Sequence, residues 1–452
     1  MNPFHFAAII SATSLAVAPT PSRADDLQNL KANIMNDGTS YTDLRALTRD
    51  IGPRMSGSIG AEKAVDWSLA KLNSYHLDRV WKQPVQVPHW ERGTVERAII
   101  IGGSAPIPLA VAALGRSAGT TGINARVVEV QSLDEVRALG FRVRGKIVFY
   151  NRPMDPTLEN PFTAYGRAMD QRTQGPALAS SFGAVAVLVR SMTTLPDDDH
   201  THTGGTSFRS GATPIPAAAL STHAANVLSH ALKNIADLTV HLELSAKTLP
   251  DVTSYNVIGE ITGSVTPGEI VLVGGHLDSW DLAQGAHDDG AGVTQSMDVC
   301  RAIKQLGLHP RRTVRCVLFM AEEPGGIGGE EYARQAGLAH EHHVMAVESD
   351  RGGFAPKKFS IDGTPSVISD LRAWLPDFAD TGVSDFYQGG SGTDVEPLAA
   401  LGALTMELIP DSTHYFDVHH ASTDVFEAVN EKDLKSAAAA LATMVYKFAD
   451  RP

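Results

Sequence analysis

From Tyr255 onward, short apolar runs with β character alternate with stretches of helical character, and the apolar runs give way to histidine or acid. The runs are Ile270–Val273, Val314–Met320 and Val344–Val347, with a helix following Gly290 and another near Tyr332. Strand–helix alternation of this kind predicts a doubly wound α/β sheet with helices on both faces. In such sheets ligands bind beyond the carboxyl ends of the strands, where loops converge. Chemistry is therefore to be sought in the residues just after each run.

The rest of the 452-residue chain exceeds what one hydrophobic core accommodates. Tyr41–Leu77 carries apolar residues at helical spacing on both sides of the loop Gly52-Pro53-Arg54-Met55-Ser56-Gly57-Ser58, which predicts two helices flanking a turn. Between about Thr94 and Pro250 the character changes to short β-like runs, among them Ala98–Ile101, Lys146–Tyr150 and Val185–Val189, separated by Gly-, Pro-, Asp- and Thr-rich loops. This reads as a domain inserted at 94–250 into a domain formed by 25–93 and 251–452. The opening apolar run Phe6–Ala18, followed by Pro19, Pro21 and Ser22-Arg23-Ala24, reads as a signal peptide over 1–24, and hence a secreted or periplasmic protein. No later segment has the length of apolar sequence that a membrane span needs. A formal charge of −13, without clustered Lys and Arg, argues against nucleic acid or an anionic membrane as partner. Cys300 and Cys316 fit neither a redox pair nor a zinc ribbon and are expected as buried thiols, with a disulfide in an oxidising compartment as the alternative.

Five motifs carry candidate chemistry. Gly274-Gly275-His276-Leu277-Asp278 follows the first run, and residues two apart in extended backbone share a face, so His276 offers a ring nitrogen to a metal while Asp278 supports it. Gly285-Ala286-His287-Asp288-Asp289-Gly290 opens a helix; one Asp is what an N-cap requires, and the second leaves Asp288 as a carboxylate able to bridge two cations. Glu322 and Glu323 stand together at the mouth of a buried strand, where mutual repulsion and desolvation call for a compensating positive charge. One would bind metal while its neighbour acts as general base. Glu348-Ser349-Asp350 and His419-His420-Ala421-Ser422-Thr423-Asp424 add further acids and imidazoles. Nitrogen and oxygen donors without thiolate suit zinc. His340-Glu341-His342-His343 looks like a metal cluster, but it precedes a strand and is expected at the opposite end of the sheet.

The order His-x-Asp, Gly-Ala-x-Asp-Asp-Gly, Glu-Glu, Glu-Ser-Asp and His-His-x-x-x-Asp resembles the di-zinc aminopeptidase family that includes carboxypeptidase Q. Ile51–Ser58, Trp90-Glu91-Arg92-Gly93, His202-Thr203-Gly204 and Tyr255-Asn256-Val257 are similar to its carboxypeptidase Q branch, and the inserted segment resembles a protease-associated domain. The resemblance implies an α/β, doubly wound mixed sheet of the zinc exopeptidase, phosphorylase/hydrolase-like kind. It also implies two Zn(2+) per chain: His276 and Asp350 on one, Glu323 and His420 on the other, Asp288 bridging, Glu322 as general base and Asp278 behind His276. His420 is preferred to His419 because the family's ligand precedes its motif Asp by four positions, here Asp424. The chain departs from the pattern at Ala421, where relatives often carry Ser or Thr. The activity so implied is zinc-dependent hydrolysis of dipeptides or short peptides through a hydroxide shared by the metals, in a homodimer. The alternatives are an aminopeptidase acting on longer peptides, a single-zinc glutaminyl cyclase, and a non-catalytic ectodomain like the transferrin receptor. The last two are disfavoured because all five ligand positions are filled.

Overall fold

The computed structural model describes residues 23–208 and 211–451, so the signal peptide reading, apart from its last residues, lies outside the described residues. The structure contains two eight-stranded mixed sheets. The first runs, edge to edge, Arg79–Glu91, Lys247–Ile261, Arg312–Phe319, Thr266–His276, His342–Glu348, Leu404–Pro410, Pro356–Asp362 and Asp385–Gln388. Its four central strands are parallel, with Val273 facing Cys316 on one side and Val347 on the other. They read as unbroken apolar runs because both faces are covered. The helices Ala291–Gln305 and Glu431–Ala449 pack on one face around Val271, Val273 and Met345, and the helix Ile327–Leu338 packs on the other around Leu272, Val317 and Phe319. The chain passes from Thr266–His276 to one neighbouring strand and then crosses to the other, so a crevice opens beyond the carboxyl end of Thr266–His276.

The second sheet is built from residues 96–244, in the order Ile107–Leu109, Glu96–Ile101, Thr239–Leu244, Thr120–Val130, Ile147–Tyr150, Ala186–Arg190, Ala217–Leu220 and Val111–Ala113. Two hydrophobic cores cover it, and both reach the first unit, one taking in Met55, Trp90 and Trp280 and the other Tyr415 and Phe416. The segment is less purely β than its sequence suggests. Leu133–Leu139, Pro161–Ala168, Gly175–Ser181 and Thr222–Asn234 are helices, and the small residues that read as loop signals pack at their contacts. The first sheet resumes at Lys247.

Cys300 and Cys316 are buried free thiols. His342 and His343 begin their strand opposite Glu269 and Ile270, at the end remote from its carboxyl terminus, and His343 Nε2 lies 2.8 Å from the Tyr332 hydroxyl.

Candidate metal centre

Each chemical residue reaches the crevice by a local rule. His276 ends its strand, and its Nδ1 lies 3.0 Å from the Asp278 carbonyl, an acceptor only, so Nδ1 carries the proton. That leaves the Nε2 lone pair facing Asp288 Oδ1 at 3.1 Å and Asp350 Oδ1 at 3.2 Å. Gly275 lets the following helix approach: a Cβ there would sit 2.5 Å from Asp289 Oδ2.

The two adjacent aspartates divide their labour. Asp289 behaves as a cap, accepting the Gly292 amide at 2.8 Å and the His276 amide at 3.0 Å. Asp288 turns into the crevice, its backbone held by Asp424, which accepts the amides of His287 and Asp288. Asp288 Oδ1 faces His276, while Oδ2 faces His420 Nε2 at 3.3 Å.

Glu322 and Glu323 leave the strand Arg312–Phe319 through Ala321, which has φ of 67°. The Glu322 amide donates to Asp278 Oδ1 at 3.0 Å, so Asp278 ties the histidine strand to the glutamate turn. Glu323 Oε2 lies 3.2 Å from His420 Nε2, and its Oε1 is buried with no hydrogen-bond partner. Burial pushes Glu322 well above the usual carboxylate range; His276 opposes this, and Asp350 and Glu323 add to it. Burial likewise raises Glu323, helped by Asp288 and opposed by His420. Burial lowers the proton affinity of His420, but Glu323 and Asp288 outweigh it and the net shift is upward.

Asp350 stands just past the strand His342–Glu348. Glu348 accepts the amides of Asp394 and Val395, fixing the Gly389–Asp394 loop whose Ser391, Gly392 and Thr393 line the cavity. His419 stacks on His420 at 3.6 Å between ring centroids, and its Nε2 is 3.9 Å from Asp288 Oδ2, farther than that of His420.

Sequence reasoning named these residues but not the arginine that holds their backbone. Arg54, from the Gly52–Ser58 loop, is fully buried and donates to the carbonyls of Leu277, Gln284 and Gly285, clamping the stretch between His276 and Asp288. Burial lowers its pKa to about 10, so it stays charged at neutral pH. Residues of the second unit grip the other histidine. Thr203 donates its amide to the His420 carbonyl at 3.0 Å, and its own carbonyl lies 3.3 Å from His420 Nδ1. His202 Nδ1 meets the His419 carbonyl at 2.7 Å. The signal for this contact was the His202-Thr203-Gly204 motif.

The donors fit zinc. Ligand-to-ligand distances of 3.1 to 3.3 Å at both imidazoles match the roughly 3.3 Å edge of a tetrahedron with zinc bonds of about 2.0–2.1 Å. Asp288, Glu323 and Asp350 crowd together with the unpartnered Glu323 oxygen, an excess of negative charge that protons on the imidazoles offset only partly.

Acids and imidazoles gathered past the carboxyl ends of parallel strands, beside a cavity of about 520 Å³, define a metal-dependent hydrolase. Comparison with known proteins gives the family. The profile of Peptidase family M28 matches residues 256–445. Human carboxypeptidase Q is 35% identical over 413 residues, covering 91% of this chain and 85% of that protein, and carboxypeptidase Q of Xenopus laevis is 34% identical over 413 residues, covering 91% and 86%. Among solved structures, a peptidase M28 precursor from Shewanella amazonensis SB2B superposes with a TM-score of 0.89 at 35% identity, covering 94% of this chain and 96% of that one. An aminopeptidase from Aneurinibacillus sp. strain AM-1, at 21% identity and a TM-score of 0.67, covering 94% and 96%, shares the fold. The chain belongs to peptidase family M28 and is a metallopeptidase related to carboxypeptidase Q along nearly its whole length.

Proposed function

We propose that this protein is a zinc exopeptidase of the carboxypeptidase Q type, hydrolysing dipeptides or very short peptides with two zinc ions per chain. His276 and Asp350 would hold one ion, Glu323 and His420 the other, and Asp288 would give one oxygen to each. The observation that carries this reading is the pair of Asp288 oxygens facing two different imidazoles at 3.1 and 3.3 Å. Bound zinc lowers the pKa of water and polarises the substrate carbonyl.

The chain's own residues then move the proton. Glu322 lines the cavity with its carboxylate raised by burial, so it takes the proton of the attacking water and passes it to the leaving amine. Asp278 holds His276 through its backbone carbonyl and Glu322 through its carboxylate, fixing base and ligand relative to each other. Residues 25–93 and 251–452 form the catalytic domain in this reading and 94–250 a protease-associated-type insert. Residues 1–24 direct export to the periplasm or exterior, and the enzyme is a homodimer, which light scattering would check.

The test is zinc analysis of purified mature protein beside hydrolysis of free dipeptides, N-blocked dipeptides and longer peptides. About two zinc per chain and chelator-sensitive cleavage of free dipeptides support the reading. Trimming of longer peptides from the amino end converts it to an aminopeptidase, and metal-free, inactive protein in excess zinc overturns it. Glu322→Gln should keep its zinc and lose on the order of 10³-fold or more in kcat.

A further inference from the structure

The cavity beside the metal centre has two unlike walls. The wall from the first sheet carries Asp288, Glu322, Glu323 and Asp350; the wall from the second unit carries Arg116 and Arg172. Among the described residues neither of these arginines is paired with a carboxylate. Arg351, a third guanidinium at the cavity, is already committed: its Nη2 lies 2.6 Å from Glu407 Oε2, and it stacks over Phe162.

Arg172 is only 5% exposed. Its Nη1 donates to the Thr203 carbonyl at 3.1 Å and its Nη2 to the Tyr165 hydroxyl at 2.5 Å, while Nε is buried without a partner. A guanidinium this deep with no counter-anion carries a desolvation cost that an arriving anion would relieve. Arg116 is half-buried, and its Nη1 lies 3.4 Å from the Pro324 carbonyl. Its backbone has φ of 67°, which a branched or long side chain adopts at a cost glycine avoids, yet an arginine stands there. The loop does not drift: the Gly115 amide donates to the Gly204 carbonyl and the Thr206 amide to the Gly115 carbonyl, both at 3.0 Å.

The two guanidiniums flank the centre at short range. Arg116 touches the carbonyl of the residue after Glu323, and Arg172 shares the Thr203 carbonyl with His420. One extended residue spans about 3.5 Å, so a peptide whose scissile carbonyl lies at the centre puts its next carboxylate within reach of this wall. We propose that Arg116 and Arg172 bind the free α-carboxylate of the substrate one residue beyond the scissile bond, so that the site selects peptides with a single residue on the leaving side. This rests on the exopeptidase reading above. A guanidinium suits a carboxylate because its planar N–H groups match the two oxygens, and a neutral amide in that place leaves it unmatched.

The experiment compares alanyl-phenylalanine with alanyl-phenylalaninamide, using the zinc-loaded wild type, Arg116→Gln and Arg116→Lys, with Tm measured for each. Arg116 carries the test because replacing the buried Arg172 risks the fold. The wild type should prefer the acid over the amide by roughly 100-fold in kcat/KM. In Arg116→Gln that preference should fall by about 10-fold or more, through KM for the acid, and Arg116→Lys should restore part of it. An unchanged acid-to-amide ratio in Arg116→Gln, or equal hydrolysis of both compounds by the wild type, overturns the carboxylate assignment while leaving the exopeptidase reading intact. Hydrolysis of neither compound, nor of any longer peptide, overturns both.

Discussion

The two walls of the active-site cavity are built on opposite plans. On the first-sheet side, candidate ligands follow directly from strand ends, so their positions are fixed by the parallel register of Thr266–His276, Arg312–Phe319 and His342–Glu348. On the second-unit side, Thr203, Arg172 and Arg116 come from loops and a short helical turn, and they act by gripping the far histidine and presenting positive charge. The difference teaches that the ends of parallel strands gather negative charge at one place, whereas the contacts that orient the far histidine come from loops of the second sheet's segment.

The largest effect expected from breaking the first wall is that of Asp288→Ala. If its two oxygens serve two metals, this single change should lower zinc content at both positions and reduce kcat/KM by on the order of 10⁴-fold. Elemental analysis showing full zinc in that variant would mean the two imidazole clusters are independent. Next, Arg54→Met should leave the carbonyls of Leu277, Gln284 and Gly285 without their donor, costing about 3 kcal/mol in urea unfolding and weakening zinc binding. A variant equally stable but poorer in zinc would make Arg54 a pure positioning residue.

The second wall is probed by Gly115→Ala. A Cβ at Gly115 would lie 2.1 Å from the Trp280 ring, so the loop carrying Arg116 must shift; about 1–3 kcal/mol of stability and a several-fold rise in KM are expected, with zinc content preserved. Loss of zinc in this variant would show that the second unit holds the metals as well as the substrate.

The smallest effect lies at the other end of the sheet. Burial lowers His343 to about 4, so the folded protein holds it neutral while the unfolded chain protonates near 6.5. Between those values the unfolded state binds more protons. The stability is therefore present in full above pH 6.5 and is lost as pH falls towards 4. About 1–2 kcal/mol should disappear between pH 7 and 5, and His343→Gln should flatten that part of the stability profile. An unchanged slope in the variant would show that other groups dominate it.

Much of the first wall was legible in the sequence. A buried parallel strand announces itself as an apolar run, and a histidine or acid placed just past its end has nowhere to point but the crevice. The helix near Tyr332 and the opposite-end position of His342 and His343 followed from the same logic. The helices between Leu133 and Asn234 were harder to see, because Gly, Ala and Ser pack at helix contacts as readily as they form loops. Two neighbouring aspartates could be recognised as one too many for a cap. The choice of Asp288 as the crevice-facing carboxylate agrees with the turn that puts Asp289 against the Gly292 amide.

By itself, then, the sequence determined the strand order of chemistry: which residue types stand at which strand ends, since register and alternation are local and repeat along the chain. Only the tertiary structure decided that each Asp288 oxygen meets a different histidine, that Arg54 reaches the carbonyls between them, and that Thr203 lies against His420 some two hundred positions away. The first two are contacts within the first unit between segments far apart in the chain, and the third joins the two units; no local pattern encodes a distance between residues that meet only once the chain has folded.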